Sequence, residues 1–126
     1  MAFYQVPRNL PHAATIVRRI EYRLRSSGIE ETPENEQLWM HVEQLHSLIG
    51  KYEGGEDPAD VVADQVAEDA AGAGRELVSE IEKQGLGEDR LGQAIRNLFE
   101  CLGFPEEGAS ISLRAGEDPN SLMRPR

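Results

Sequence analysis

Apolar residues recur at helical spacing in four separate stretches of this chain. The first runs from about Asn9 to Ser27. Ala13, Ile16, Val17, Ile20 and Leu24 share one stripe there, with Arg18, Tyr22 and Arg25 opposite and Gly28 as the stop. The second runs from Pro33 to about Ile49, with Leu38, Val42, Leu45 and Ile49 on its stripe and Gly50 at its end. Lys51 to Asp57 reads as a loop around Gly54-Gly55. The third spans Pro58 to Gln84 and steps through Val62, Val66, Ala70, Ala73, Leu77 and Ile81 as one continuous face. Its centre, Ala70-Ala71-Gly72-Ala73-Gly74, is small enough for a neighbouring helix to come close. The two glycines there cost roughly 1 kcal/mol each against Ala and open the alternative of a kink or break. The fourth follows Asp89, turns Leu91, Ile95, Leu98, Phe99 and Leu102 inward, and closes at Gly103 and Pro105.

The punctuation supports this reading. Thr32-Pro33, Asp57-Pro58 and Asp118-Pro119 each place a capping oxygen before a proline whose missing N–H costs nothing at a first helical position. No alternating run exceeds a few residues. The predicted fold is therefore all-α: a four-helix bundle or an irregular four-helix array, with residues 1–105 as a single domain. Short connections between the first and second helices, and between the third and fourth, favour antiparallel neighbours. Residues 106–126 read as a partly ordered C-terminal tail, with Ile111-Ser112-Leu113 as a short extended piece and Asn120 to Met123 as one helical turn.

Composition narrows the class. A chain of 126 residues has room for one domain with a real core, and 29% charged residues give it a polar exterior. One Cys excludes an internal disulfide. No apolar run approaches the ~18 residues of a membrane span. The start, Met1-Ala-Phe-Tyr-Gln-Val-Pro, lacks the apolar core of a signal peptide. No membrane contact is expected, and the cytoplasm is the default location.

Charge changes the picture more, because it is segregated. Met1 to Gly28 holds Arg8, Arg18, Arg19, Arg23 and Arg25 against Glu21 alone, a net of +4. Ile29 to Glu88 carries a net of −13, within a whole-chain charge of −10. Either the two blocks pair inside one fold, or one of them faces a partner. The acidic balance argues against nucleic acid, which needs a surplus of Lys and Arg, although the arginines of the first helix could each grip a phosphate.

Within the acidic block, Asp60, Asp64 and Glu68 step by four along the third helix with no Lys or Arg one turn away. On a helical wheel they lie almost opposite Val62, Val66 and Leu77. Three readings follow: a docking surface for a basic partner, a plain solvated face, or internal pairing with Arg18, Arg19, Arg23 or Arg25. Trp39 sits at the edge of the second stripe and Met40 on its polar side, so the pair reads as an interface anchor with a charged rim. The alternative for Trp39 is to cover the core margin between two helices. Glu43-x-x-His46 has the spacing of one half of a di-iron ligand set, but the partner pair is missing and Glu43 points away from the stripe. Cys101 reads as a small buried residue, with no His near it in sequence. No phosphate loop, zinc set or nucleophile elbow is present.

The expected function is that of a non-enzymatic, small acidic helical interaction protein, an inhibitor, adaptor or phage-type regulator without a cofactor. It would bind a basic protein partner through Trp39, Met40, Glu43, Asp60, Asp64 and Glu68. Two other classes stand beside it. One is a helical metal-binding or hydrolytic protein using Glu43, His46 and the acids of the third helix. The other is a subunit of a homo-oligomer, at its simplest a homodimer, with Trp39 and the small centre of the third helix buried between copies.

Overall fold

A computed structural model describes residues 8–85 and 89–111. Among the described residues there are five helices and no strand. They are α1 (Leu10–Ser26), α2 (Glu36–Ile49), α3 (Asp60–Gln84), α4 (Asp89–Leu102) and a short α5 (Pro105–Ala109), with 3-10 turns at Pro33–Asn35 and Gly50–Tyr52 flanking α2. The predicted all-α, four-helix array is what forms. α1 and α3 each pack on both α2 and α4, so the contacts close a ring in chain order, and α1 and α3 stand on its diagonal. α5 packs on α4.

The starts of α1 and α3 meet the end of α4 at one end of the array. The Asn9 N–H donates to the Cys101 carbonyl at 2.8 Å, and the Leu10 N–H donates to the Asp57 carboxylate at 2.8 Å. Asp57 was expected to cap its own helix. α3 instead begins at Asp60, behind an N-cap Ala59 that makes no side-chain bond. Asp57 therefore serves α1, beside Asn9, whose side chain accepts the His12 N–H at 3.0 Å. Both oxygens satisfy otherwise orphaned N–H groups at the positive end of the α1 dipole.

The core is built from Leu10, Ile16, Ile20 and Leu24 of α1, Leu38, Leu45 and Ile49 of α2, Leu77 and Ile81 of α3, and Leu91, Ile95, Leu98 and Phe99 of α4. The stripes of α1, α2 and α4 are those the periodicity predicts. α3 differs in its first half. Val62 is 48% exposed and Val66 only half-buried, while Ala63 and Ala67 are buried. The reason is geometric. A step of four residues advances about 40° around a helix, so going back from Ala70 the line through Val66 and Val62 drifts to about 60° and then about 100° from the centre of the buried face. Ala63, Ala67, Ala70, Gly74, Leu77 and Ile81 alternate steps of four and three, hold their direction, and form the buried seam.

α3 runs unbroken through Gly72 and Gly74 for 25 residues. Gly74 is a contact point: a Cβ there would lie 3.1 Å from the Phe99 ring, so its absence lets α3 close on α4. α5 lies in the stretch expected to begin a tail. It forms because Pro105 occupies the first turn with Glu106 and Glu107 beside it, and Gly108 brings it against α4, where a Cβ would stand 2.8 Å from the Arg96 carbonyl oxygen. Ile111 is not extended from a free end: its carbonyl accepts from Arg96 at 2.9 Å and its N–H donates to Gly108 at 3.1 Å. Ser112-Leu113, Asp118-Pro119 and Asn120 to Met123 lie outside the described residues.

Candidate interaction groove

At the end where α1 and α3 start and α4 stops, the first half of α3 faces the α4–α5 junction across a groove of about 1260 Å³. α4 ends at Gly103, with φ of 95°, from which Phe104 donates back to the Phe99 carbonyl at 2.8 Å and Gly103 to Glu100 at 3.0 Å. This doubly bonded turn stops α4 and redirects the chain into α5 along the groove. Val61, Phe104 and Pro105 supply apolar surface above the buried Leu102, and Asp60, Asp64, Glu68, Glu106 and Glu107 supply carboxylates. Val61 is 82% exposed.

Three of the five acids, Asp60, Asp64 and Glu107, have an arginine within salt-bridge distance. Arg8 forms an ion pair with Asp64 and lies 3.9 Å from Asp60. Arg75 grips Glu107 with two guanidinium N–H groups, one at 2.9 Å, and so ties α3 to α5. Asp60 is fully exposed, and neither Glu68 nor Glu106 has a salt-bridge partner among the described residues. The stripe drifts by about 40° per step, from the margin of the buried seam outward, and so does not lie opposite the core as the wheel drawn on Val62 and Val66 implied. That is why Arg8 reaches its first two members. Internal pairing thus occurs, with a residue ahead of α1 and not with the helix arginines proposed for it: Arg18 meets Glu53 at 3.3 Å, and Arg25 meets Glu21 and Glu31 at 3.0 and 2.6 Å. The Arg8 Nε–H is buried without a hydrogen-bond acceptor, so Arg8 is incompletely satisfied where it sits.

The α2 residues are not brought to this groove. Trp39 is 6% exposed, between α1 and α2, with the Arg25 guanidinium 4.5 Å over its ring. It covers the core margin and is not an open anchor. Met40 is 40% exposed and Glu43 is exposed. His46 does not join Glu43 but faces α1, its Nε2 2.9 Å from the Glu21 carboxylate. Burial pushes the Glu21 carboxyl up, but hydrogen bonds from Arg25 and His46 outweigh it and hold it below the usual carboxylate range. Among the described residues, no three His, Cys, Asp or Glu side chains are placed to hold a metal ion. His41 is buried and bonded to Gln44 at 3.0 Å. Burial and the neighbouring Glu100 raise the Cys101 thiol, which keeps it protonated at neutral pH. In the small centre of α3, Ala70, Ala71, Ala73 and Gly74 are buried within the chain, Gly74 against the Phe99 ring of α4.

Sequence reasoning thus found Asp60, Asp64 and Glu68 but missed Arg8, Val61 and the α4–α5 wall. The missed signal was local: Pro105 followed by two glutamates is helix-start chemistry in a stretch too short to show a period. No described helix is long and apolar enough to cross a membrane. Comparison with protein-family models, with curated proteins and with solved structures found no match.

Proposed function

We propose that this chain is a non-enzymatic binding protein whose α3–α5 groove holds a basic, amphipathic segment of a protein partner. One observation carries the reading: a valine 82% exposed lines a groove in which Glu68 and Glu106 have no salt-bridge partner among the described residues. A bound segment would cover Val61 together with the neighbouring Phe104 and Pro105 and answer the charge of Glu68 and Glu106. The division of labour follows from the lining. Val61, Phe104 and Pro105 offer apolar area that slows dissociation, and Asp60, Glu68 and Glu106 act at the rim, where charges set encounter rate and salt dependence. A protein of this kind works by covering another molecule's surface, as an inhibitor, adaptor or phage-type regulator does.

Calorimetric titration with a synthetic Leu/Arg amphipathic peptide, and with its Leu/Glu counterpart, tests the proposal. Binding of the basic peptide alone is expected, weakening as salt rises. Equal binding of both, or of neither, contradicts it.

A further inference from the structure

We infer that the basic segment the groove receives is presented by a second copy of this chain, with Arg19, Tyr22 and Arg23 of one copy seated in the groove of the next. The inference rests on the groove reading above and names its partner. Tyr22 is 64% exposed on the outer face of α1, with the Arg23 guanidinium 5.9 Å over its ring. Arg18 and Arg25 have carboxylates of their own, whereas Arg19 and Arg23 have none among the described residues. The patch is therefore an apolar centre with two arginines that have no carboxylate partner, and the groove offers Val61, Phe104 and Pro105 with two carboxylates, Glu68 and Glu106, that have no arginine or lysine partner among the described residues. Each supplies the charge that the other leaves unanswered.

The fold keeps the two apart within one molecule. α1 and α3 stand on the diagonal of the ring. Arg19 and Arg23 lie nine and thirteen residues beyond Leu10, at the groove end of α1, which places them about 14–20 Å along the helix. Contact between patch and groove must therefore join two molecules. Because the surfaces differ, the contact is head-to-tail and leaves one of each open at the ends, so it propagates instead of closing as a symmetric dimer. A chain charge of −10 opposes the approach of two copies. At about 0.15 M salt the screening length is about 8 Å, which mutes that repulsion between molecules more than it weakens pairs in contact. Association should thus peak at intermediate ionic strength and fall in high salt.

Sedimentation equilibrium of the full chain over a range of concentration and salt tests this, with R19Q/R23Q and E68Q/E106Q as surface variants that leave the Arg8–Asp64 and Arg75–Glu107 pairs in place. The average mass of the unaltered chain should rise with concentration without levelling at a dimer. Each variant alone should lose the association, and an equal mixture should form a dimer and nothing larger, because only one complementary contact remains. Unchanged melting temperatures show that the variants fold. A chain that stays monomeric at every salt but binds the Leu/Arg peptide overturns the second copy and leaves the groove reading standing. Failure of both overturns both. Self-association that levels at a dimer, or that survives R19Q/R23Q, overturns the patch-in-groove contact.

Discussion

Residues 60–69 of α3 include three valines, of which Val61 and Val62 are exposed and Val66 half-buried, whereas residues 70–84 bury alanines and a glycine alongside Leu77 and Ile81. The half richer in large β-branched residues is the more open one. What decides burial here is register with α2 and α4: a seam that alternates steps of four and three stays buried even when it is made of alanine, and a valine one position off it stays outside. The second half of α3 holds the array together, and the first half has apolar surface left over beside the acids.

Substitutions separate the halves most sharply in stability. Leu77→Ala should cost about 2–5 kcal/mol by removing a fully buried side chain, while Val62→Ala should change stability by no more than about 0.5 kcal/mol. Urea unfolding of both variants checks this. A large loss from Val62→Ala would erase the distinction.

The two glycines of the second half should respond with opposite sign. Gly74→Ala drives a Cβ to within 3.1 Å of the Phe99 ring and should destabilise by about 1–3 kcal/mol, whereas a Cβ at Gly72 meets nothing within 4 Å, so Gly72→Ala should stabilise by up to about 1 kcal/mol. Thermal melts of the pair decide it, and equal effects would mean that α3 does not close on Phe99.

In the acidic half the effects are smaller and show in pairs. Asp64→Lys should lower the melting temperature modestly, in keeping with the ~0–1 kcal/mol of an exposed ion pair, and Arg8→Glu should restore part of it. Absence of rescue would place the Arg8 pair outside the folding energetics.

Acid titration supplies the last contrast, away from α3. Glu21 is held below its ordinary value of 4.5 in the folded chain, so as pH falls the unfolded chain takes up this proton first. Its contribution is whole above about that pH and is lost as pH falls through the depressed folded value. Glu21→Gln should therefore flatten the acid limb of stability against pH between 4.5 and the onset of acid unfolding. An unchanged limb would show that Arg25 and His46 do not hold the carboxylate.

What could be read in advance follows the same division. The faces of α1, α2 and α4 were legible because Leu, Ile, Val and Phe occupy most of the buried positions. The α3 seam was hidden because Ala63 and Ala67 carry a weaker signal than Val62 and Val66 next to them. The acids of the groove were visible as a stripe, but their setting was not: Arg8 and Asp64 are 56 residues apart, and Asp57 caps a helix start 47 residues away. Trp39 could not be assigned between anchor and core margin, because what settles it is Arg25 of the neighbouring helix lying over its ring.

The central claim, that the first half of α3 with the α4–α5 junction is a binding surface, is tested most directly by residue-resolved NMR shifts of the full chain titrated with the Leu/Arg amphipathic peptide. Shifts should concentrate on Asp60, Val61, Asp64, Glu68, Phe104 and Glu106 and leave Leu77 and Ile81 still. Shifts centred on Trp39 and Met40, or spread evenly along α3, would contradict it.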